Sequence, residues 1–457
     1  AAGGVMHTLN LRLSPDEIGW IAGHAKDRFL VVDDILLPLY RQFAHLHRFE
    51  RVIVFPFSGQ PVPDGFDDYE ALLVQADPDG FTYAPHDEND PVAMCYTSGT
   101  TGRPKGVAYS HRSTVLHTLV ASLADFWGLR GTDVVLPVTP MFHANSWGMP
   151  YGAVMMGVSM VFPGPHLHPD DLLDLVRDHP PTLALGVPTI WMGLIQAYEA
   201  SLVEGSPNHG RWKLPGGMRS LVGGAAVPEA LIRAFDRHGI WILQGWGMTE
   251  TSPVCTISYP RAELRDVDAD ERFRRAATAG VPVPLVDLRV SGDQGEQPWD
   301  GRSVGEIQVR GPFITGRYHE VPAEPDKFTD DGWLRTGDVA SVNALGFVRI
   351  TDRTKDLIKS GGEWISSVDL ENAVMAHPAI AEAAVIAVPD AKWGERPLAC
   401  VVRKAGAEVA REALDEHLLR HGFAKWQLPD RYEWIEAVPR TSTGKFWKLK
   451  LRERFRG

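Results

Sequence analysis

Two stretches decide the fold of this 457-residue chain: LALGVPTIWMGLIQAYEA at residues 183–200 and SLVGGAAVPEALIRAFDRHGIWIL at residues 220–243. Each begins with a short apolar run and continues into a segment whose apolar residues recur at helical spacing. Similar alternation extends from residue 92 to 245, which predicts crossover units and a largely parallel sheet flanked by helices. The predicted strands are Val134–Val138, Val158–Phe162, Leu183–Val187, Ser220–Val222 and Ile240–Leu243, and the predicted helices are Ser113–Phe126, Asp170–Arg177, Ile190–Glu199 and Glu229–Arg237.

From about residue 280 the strands are punctuated by glycine and proline, which predicts a small β-rich subdomain. After Asp352, helices and strands alternate over about a hundred residues, enough for a compact α+β domain. We therefore predict an α/β protein with a large N-terminal domain, residues 1–352, and a small C-terminal domain, residues 353–457. The elements predicted here are strands at Gly305–Arg310, Gly346–Ile350, Ala383–Val388 and Leu398–Val402 and helices at Ser367–Met375 and Arg411–Leu419.

Composition excludes several classes of protein. Forty-six basic residues against 58 acidic ones give a net charge of -12, which argues against a nucleic-acid-binding protein. The three cysteines lie far apart without metal-ligand spacing, as expected in a reducing cytoplasm. The longest apolar segment, Gly148–Phe162, contains Pro150 and several glycines and predicts buried core rather than a membrane span. Because residues 1–10 begin abruptly, we expect a truncated start.

The sequence YTSGTTGRPKG at residues 96–106 combines glycines, hydroxyl side chains and one lysine. Glycines let backbone N–H groups approach an anion, hydroxyls add donors, and lysine supplies positive charge, so the pattern predicts a phosphate-binding loop. The order differs from a Walker A loop, because Pro104 precedes Lys105. A plain surface turn is the alternative interpretation.

This loop resembles the phosphate loop of the adenylate-forming superfamily, which includes acyl-CoA synthetases, luciferases and peptide-synthetase adenylation domains. Such loops close over the nucleotide. By this resemblance, the outer phosphates of ATP are bound by Thr97, Ser98, Gly99, Thr100, Thr101, Gly102 and Lys105.

Downstream, QGWGMTE at residues 244–250 is similar to the adenine-binding motif of this superfamily. The resemblance implies that Trp246 stacks on adenine, Thr249 contacts the α-phosphate and Glu250 binds Mg²⁺. A buried tryptophan in a turn is the alternative for Trp246 alone. The further nucleotide-site residues implied by resemblance are Gly223, Gly224, Ala225, Gln244, Gly245, Gly247 and Met248.

Three later motifs complete the resemblance. RTGD at residues 335–338 would place Asp338 on the ribose, and DRTKDLIKSGGE at residues 352–363 resembles the interdomain hinge. In that hinge, Arg353 would contact the ribose and Lys355 would be the pivot. PRTSTGK at residues 439–445 resembles the loop of the catalytic lysine, so Lys445 would bridge the substrate carboxylate and the α-phosphate. As isolated strings, these motifs would be a turn, a solvated charge run and a surface lysine.

The implied reaction joins two anions, a carboxylate and the α-phosphate of ATP, so positive charge is its main requirement. Magnesium at Glu250, together with Lys105 and Lys445, would supply that charge. A thiol then attacks the acyl-adenylate. The resemblance implies that a mobile C-terminal domain rotates about Lys355 between the two steps, withdrawing Lys445 and presenting Lys359 and its neighbours.

Several residues bear on the acid that is activated. Gly247 stands where acetyl-CoA synthetases place a tryptophan, so a glycine predicts room for a longer acid; the alternative is that it serves only the turn. Trp191 resembles the gate of fatty acyl-CoA synthetases, and His143 matches a residue that lines the acyl pocket. Core packing is the alternative for both. The acyl-pocket segments carry no charged residue, which disfavours amino acids, because their ammonium group needs an anionic partner.

The sequence therefore predicts a medium- or long-chain fatty acid–CoA ligase that uses ATP, Mg²⁺ and coenzyme A and resides in the cytoplasm. The sequence is compatible with peripheral membrane contact and with a homodimer, and it decides neither. The alternatives are an adenylating ligase for an aryl acid, one with a carrier-protein acceptor, and a nucleotide-binding fragment with impaired catalysis.

Overall fold

The computed structural model describes residues 2–97, 103–292, 295–322, 326–353, 356–361, 363–442 and 444–455. The strands are β1 (Met6–His7), β2 (Phe29–Asp33), β3 (Arg51–Phe55), β4 (Asp67–Asp68), β5 (Pro91–Tyr96), β6 (Gly106–Ser110), β7 (Val134–Pro137), β8 (Ser159–Met160), β9 (Leu183–Gly186), β10 (Arg219–Gly223), β11 (Trp241–Gly247), β12 (Val254–Ile257), β13 (Val281–Pro282), β14 (Asp287–Gly292), β15 (Gly295–Glu296), β16 (Gly305–Arg310), β17 (Leu334–Val342), β18 (Val348–Arg353), β19 (Ile358–Ser360), β20 (Glu363–Ile365), β21 (Ile380–Asp390), β22 (Gly394–Arg403) and β23 (Arg431–Trp434). The α-helices are α1 (Pro15–Ala25), α2 (Leu37–Phe43), α3 (Tyr69–Gln75), α4 (His111–Ala121), α5 (Ala144–Trp147), α6 (Met149–Met156), α7 (Pro169–Asp178), α8 (Pro188–Ser201), α9 (Glu229–Asp236), α10 (Ala269–Ala276), α11 (Ser367–Met375), α12 (Arg411–Arg420) and α13 (Lys448–Phe455).

A seven-stranded sheet with the order β13-β12-β11-β10-β9-β7-β8 forms the centre of the large domain. The five strands from β8 to β11 pair in parallel, and β12 and β13 add antiparallel edges. Each of the five predicted strands is present, and so is each predicted helix. The predicted α/β fold with a parallel-rich sheet is therefore confirmed.

The helices against this sheet begin and end where their sequences favour it. Pro169 and Pro188 occupy the first turns of α7 and α8, where a missing N–H costs nothing. Asp170 and Asp171 lie in the first turn of α7 and Arg177 lies in its last turn. Both placements stabilise the helix through favourable interactions with its dipole. The apolar faces meet in one core, in which Phe235 and Leu172 are fully buried.

Two five-stranded sheets follow the central sheet along the chain. The antiparallel sheet β15-β14-β16-β17-β18 is the predicted β-rich subdomain, and its last strand ends at Arg353. The C-terminal sheet β20-β19-β22-β21, with β23 beside β22, is covered by α11 and α12. The predicted division between residues 352 and 353 falls one residue before the end of β18, and it stays a prediction.

The first ninety residues form elements that we did not predict. Strands β2, β3 and β4 form a parallel sheet, and β1 pairs in parallel with β5 of the β5–β6 hairpin. Helix α1 begins with a capping box, in which Ser14 accepts from the backbone of Glu17 and the Glu17 carboxylate accepts from the backbone of Ser14.

The segment Gly148–Phe162 is not uniformly buried, contrary to our prediction. It contains the short helix α6, whose Met149 and Ala153 are buried while Val154 is 80% exposed. Phe162, after strand β8, is 54% exposed. The segment is apolar along its whole length, which is why we expect it to be buried. Helix α6 lies at the surface, however, and a surface helix buries only one of its faces. Within the described residues, no helix is long and apolar enough to cross a membrane.

Candidate active site

Residues from three separate motifs meet at the predicted adenosine site. Trp246 on β11 donates from Nε1 to Oδ2 of Asp338 on β17 at 2.8 Å. The Arg353 guanidinium on β18 lies 3.2 Å from the other carboxylate oxygen, because the register of the two strands pairs Asp338 with Arg353. Trp246 and Asp338 are more than nine-tenths buried, so a carboxylate is held at the N–H edge of an indole in a site of low dielectric.

Glu250 and Thr249 lie in the short turn that follows β11. The Glu250 carboxylate is 5% exposed and accepts a hydrogen bond from the Tyr318 hydroxyl. Tyr109 donates to the carbonyl of Thr249 at 2.8 Å, which fixes the turn from the opposite side. The Lys105 ammonium lies 4.9 Å from the centre of the Tyr318 ring. A buried carboxylate and the phosphate-loop lysine are thus brought to one tyrosine.

This arrangement suits magnesium held jointly by protein and phosphate. Within the described residues, no cluster of three or more His, Cys, Asp or Glu side chains has metal-binding geometry. Magnesium commonly binds through one or two carboxylates together with substrate phosphates and water. Glu250, a hard oxygen ligand oriented by the Tyr318 hydroxyl, fits that description.

The base of the phosphate loop is a closed hairpin. Tyr96 pairs with Gly106 across β5 and β6. Thr97 donates its backbone N–H to the Lys105 carbonyl at 3.0 Å, and the Thr97 hydroxyl accepts from the Lys105 N–H at 3.1 Å. Thr97 therefore fixes the position of Lys105. The other predicted loop residues, Ser98, Gly99, Thr100, Thr101 and Gly102, lie outside the described residues, as does the predicted hinge Lys355.

Lys445 from the C-terminal domain reaches the C-terminal end of β10. A Cβ at Gly224, which has a φ of +82°, would stand 3.4 Å from Lys445 Cε. The neighbouring Gly223 lies so close to β11 that a Cβ there would stand 2.7 Å from the carbonyl oxygen of Gly245. The small residues predicted for this site therefore leave room for the lysine and for the close approach of the strand that carries Trp246.

The Lys445 loop is held by the N-terminal segment of the chain. Asn10 donates from its amide to the Ser442 hydroxyl at 2.9 Å, and Arg12 donates to the Ser442 carbonyl at 3.0 Å. Arg12 also lies over the ring of Phe142, 5.6 Å from its centre. We did not predict Asn10 or Arg12, because they are more than 400 residues from Ser442 and belong to no recognised motif.

His143 lines the same space. Burial, and then the positive charge of Lys445, lower the pKa of His143 to about 3, so the imidazole is neutral at physiological pH. The four residues after it, Ala144 to Trp147, all have positive φ between 46° and 58°. Left-handed backbone costs ~1–2 kcal/mol per residue, and such strain is concentrated at functional sites.

Two sequence profiles match this chain. Residues 1–319 match the profile described as AMP-binding enzyme, and residues 369–445 match the AMP-binding enzyme C-terminal domain. The chain belongs to the AMP-binding enzyme family. This confirms the resemblance that the phosphate loop and the later motifs carried.

Relatives of this AMP-binding enzyme cover nearly all of it. It is 48% identical to a long-chain-fatty-acid–CoA ligase of Thermus thermophilus, over 99% of this chain and 81% of the relative. It is 42% identical to a 3-methylmercaptopropionyl-CoA ligase of Ruegeria lacuscaerulensis, over 100% of this chain and 83% of the relative. It is 40% identical to a medium-chain-fatty-acid–CoA ligase of Ectopseudomonas oleovorans, over 99% and 82%.

Solved structures agree with the fold of the AMP-binding enzyme. ATP-bound MatB from Rhodopseudomonas palustris superposes with a TM-score of 0.80 at 27% identity, over 99% of this chain and 84% of that one. The anthranilate CoA ligase AuaEII with anthranoyl-AMP gives a TM-score of 0.84 over 99% and 83%. At 24% identity, that second likeness concerns the fold alone.

Trp191 of this AMP-binding enzyme lies in the hydrophobic core between helices α7 to α9 and the central sheet. It is 1% exposed and packs edge-on against Phe235, with ring centres 6.3 Å apart. Its indole nitrogen would lie 2.9 Å from a Cβ at Gly186 and has no hydrogen-bond partner among the described residues. Trp191 is thus a packed core residue in this structure, as the alternative interpretation expects. Its role as a gate stays a prediction.

Gly247 is explained by its turn. A Cβ at Gly247 would stand 1.7 Å from the carbonyl oxygen of Pro253, so no side chain fits this backbone. The missing side chain is therefore not in itself a measure of pocket size, and our inference of an open pocket floor from this residue loses its basis.

Lys359 lies away from these contacts, on β19 of the C-terminal sheet. Its ammonium is 4.3 Å from the centre of the Trp364 ring, and its backbone N–H donates to Glu395 at 2.8 Å. Its described partners belong to the C-terminal domain. The catalytic role predicted for Lys359 stays a prediction that requires a second domain orientation.

The three cysteines and Ser303 are poor candidates for a catalytic nucleophile. Burial raises the pKa of the Cys95 thiol to about 11 and those of Cys255 and Cys400 to about 12. GRSVG at residues 301–305 has the spacing of a nucleophile elbow, but Ser303 lies in a turn before a strand and donates to Asp300. A nucleophile elbow joins a strand to a helix.

Proposed function

We propose that this AMP-binding enzyme is an ATP-dependent fatty acid–CoA ligase. It first forms an acyl-adenylate and pyrophosphate, and it then transfers the acyl group to coenzyme A. One observation carries the proposal: Lys445 of the C-terminal domain lies beside Gly224, just past the C-terminal end of β10, the strand next to the one that bears Trp246. A cation is thereby delivered to the place where two anions must meet.

The nucleotide is bound by the Trp246–Asp338–Arg353 cluster. Adenine stacks on the indole, whose edge is fixed by its hydrogen bond to Asp338. The Asp338 carboxylate has lone pairs left for the ribose hydroxyls, and Arg353 holds it in place. In this proposal, these side chains position the nucleoside before any chemistry begins.

Adenylation depends on positive charge around the phosphates. Glu250 would hold magnesium, which when bound would supply positive charge at the phosphate oxygens. Lys105 acts on the outer phosphates, and Lys445 lies between the fatty-acid carboxylate and the α-phosphate. His143 stays neutral beside Lys445, so it adds neither a competing cation nor a counter-ion, and its role is to shape the pocket.

Thioester formation follows a rotation of the C-terminal domain about Lys355. Lys445 occupies the approach to Gly224, so it must leave before a thiol reaches the adenylate from that side. The rotation presents Lys359 and its neighbours instead. A change of domain orientation lets two catalytic surfaces use one site in turn.

The apolar character of the acyl side favours a fatty acid. The segments 141–147, 186–194 and 222–226 contain no Asp, Glu, Lys or Arg, and His143 is neutral. The names of the relatives from Thermus and Ectopseudomonas, long-chain and medium-chain fatty-acid–CoA ligases, support the same substrate class. The second candidate is a short thioether acid, which the Ruegeria relative favours.

The test is acid-dependent release of pyrophosphate with ATP, Mg²⁺ and coenzyme A, across straight-chain acids from acetate to stearate. Benzoate and 3-methylmercaptopropionate are included as competitors. We expect kcat/KM to rise with chain length to a maximum in the medium or long range. A maximum at benzoate or at 3-methylmercaptopropionate would overturn the fatty-acid assignment, and ATP binding without acid-dependent turnover would overturn the ligase assignment.

Lys445→Ala separates the two steps. It should abolish pyrophosphate release yet spare thioester formation from supplied acyl-adenylate. Equal loss of both steps in a folded variant would contradict the proposed rotation.

A further inference from the structure

A buried group of charged side chains lies where helix α13 meets strand β18. Three carboxylates and two cations share this region, although charged groups are seldom buried unless they are paired. Each side chain is 13% exposed or less. The members are Asp352, Asp356, Glu371, Lys448 and Arg452.

Most of the pairs in this group lie within the C-terminal domain. The Lys448 ammonium is 2.7 Å from a Glu371 carboxylate oxygen and donates to the Ser367 hydroxyl at 2.6 Å. Arg452, one turn further along α13, pairs with Asp356. Two basic residues of α13, a helix that begins three residues after Lys445, are thus each paired with a carboxylate from elsewhere in the C-terminal domain.

Asp352 is the member that comes from the large domain. It lies on β18 of the five-stranded sheet and is 2% exposed. Its carboxylate accepts the backbone N–H of Ser367 at 2.8 Å, across the domain boundary. Lys448 is close enough to act on its ionisation electrostatically. The next residue, Arg353, pairs with Asp338 in the nucleotide site.

We propose that Asp352 is a positioning residue that docks the C-terminal domain in the orientation which places Lys445 beside Gly224. The inference rests on the proposed rotation about Lys355. Asp352 precedes that pivot, whereas Ser367 and Lys448 follow it. When the domain turns, the Glu371–Lys448 and Asp356–Arg452 pairs move as one unit, and Asp352 stays behind.

The energetics favour a docked state that is specific yet reversible. A buried carboxylate is stable while it has hydrogen-bond donors and a cation nearby. On undocking, Asp352 loses the Ser367 N–H and the charge of Lys448 and keeps only the backbone N–H of Arg353 among these partners. Water then solvates the freed carboxylate, so the domain is not held irreversibly. A side chain that links the nucleotide-site strand to the helix behind Lys445 therefore biases the enzyme toward adenylation.

The same boundary offers a matched control. Arg349, also on β18, lies 3.1 Å from Asp369 on α11, but the arginine is 65% exposed. Exposed ion pairs contribute little to stability because water and salt screen them. Arg349→Gln thus removes an interdomain ion pair without disturbing the buried group.

The experiment measures the two half-reactions separately in the full chain: pyrophosphate release with fatty acid and ATP, and thioester formation from supplied acyl-adenylate and coenzyme A. Asp352→Ala removes both the charge and the acceptor, while Asp352→Asn keeps an acceptor for Ser367. We expect Asp352→Ala to slow pyrophosphate release at least about tenfold, Asp352→Asn less, and thioester formation to stay within about twofold in both. Arg349→Gln should leave both half-reactions within about twofold.

Each remaining outcome decides the matter. Equal loss of both half-reactions in a variant that unfolds at the wild-type temperature would make Asp352 merely structural and overturn the proposal, as would no change in either. If Asp352→Ala does not fold, the near-isosteric Asp352→Asn carries the same comparison. A wild-type chain that releases no pyrophosphate with any acid would refute the proposed function itself, which is a different failure.

Discussion

The indole of Trp246 donates a hydrogen bond of 2.8 Å to the Asp338 carboxylate, although the two residues are 92 positions apart. The bond fixes the edge of the indole and leaves a ring face for the proposed adenine stack. It also ties a strand of the central sheet to the β-rich subdomain. The proposed nucleotide site therefore depends on the packing of two parts of the large domain.

The first prediction concerns the ring at position 246. Trp246→Ala should raise the KM for ATP about five- to a hundredfold, because stacking of a base on an aromatic ring contributes about 1–3 kcal/mol. Trp246→Tyr keeps a ring and should retain most of the affinity. ATP titrations of pyrophosphate release measure both. Equal KM values for the two variants would show that adenine does not stack there.

The second prediction concerns Tyr318, whose hydroxyl donates to the buried Glu250 carboxylate. Tyr318→Phe removes that donor and leaves the carboxylate less well oriented, at a cost of about 1–3 kcal/mol. We expect a higher Mg²⁺ concentration at half-maximal rate, with little change in the KM for the fatty acid. A magnesium titration that matches wild type would argue against Glu250 as the ligand.

The third prediction concerns the space beside Lys445. Gly224→Val introduces a branched side chain where a Cβ alone would stand 3.4 Å from Lys445 Cε, at a φ of +82° that such residues avoid. Pyrophosphate release should fall much more than thioester formation from supplied adenylate.

Gly216→Ala is the control for this third prediction, because a Cβ at Gly216 meets no heavy atom within 4 Å. It should leave both half-reactions unchanged. Unaltered adenylation in a folded Gly224→Val variant would mean that Lys445 does not act from this position.

The fold could be predicted where the signal is local. Helical and strand spacing along residues 134–243 follows from neighbouring residues, and the structure has each element that this spacing predicted. Ser367–Met375 and Gly305–Arg310 match their predicted bounds. We predict no element in the first ninety residues, where β1 pairs with the distant strand β5, a contact that no local pattern encodes.

The site could be predicted as far as its motifs extend. Trp246, Asp338 and Arg353 were each inferred from a separate string, and the structure brings them together. The residues that support them carry no such signal. Tyr318 reaches Glu250 across 68 positions, and Asn10 reaches Ser442 across 432. Such pairs depend on tertiary packing, which no local pattern encodes.

The final prediction concerns acid stability. His117 is 2% exposed, and burial lowers its pKa to about 3. The unfolded chain binds a proton near pH 6.5, which the folded chain does not bind until pH is near 3. The free energy of unfolding therefore falls as pH drops through this window, and this histidine contributes about 2 kcal/mol of that loss between pH 7 and pH 5.

His117→Gln removes this titration while keeping an acceptor for the backbone N–H of Val254. Relative to this variant, wild type should lose about 2 kcal/mol of unfolding free energy between pH 7 and pH 5, measured by urea denaturation. Between pH 7 and pH 8 the unfolding free energies of the two proteins should run nearly parallel, because His117 is then mostly neutral in both the folded and the unfolded chain. A difference that is constant from pH 8 to pH 5 would show that His117 takes up its proton equally in the folded and unfolded chains.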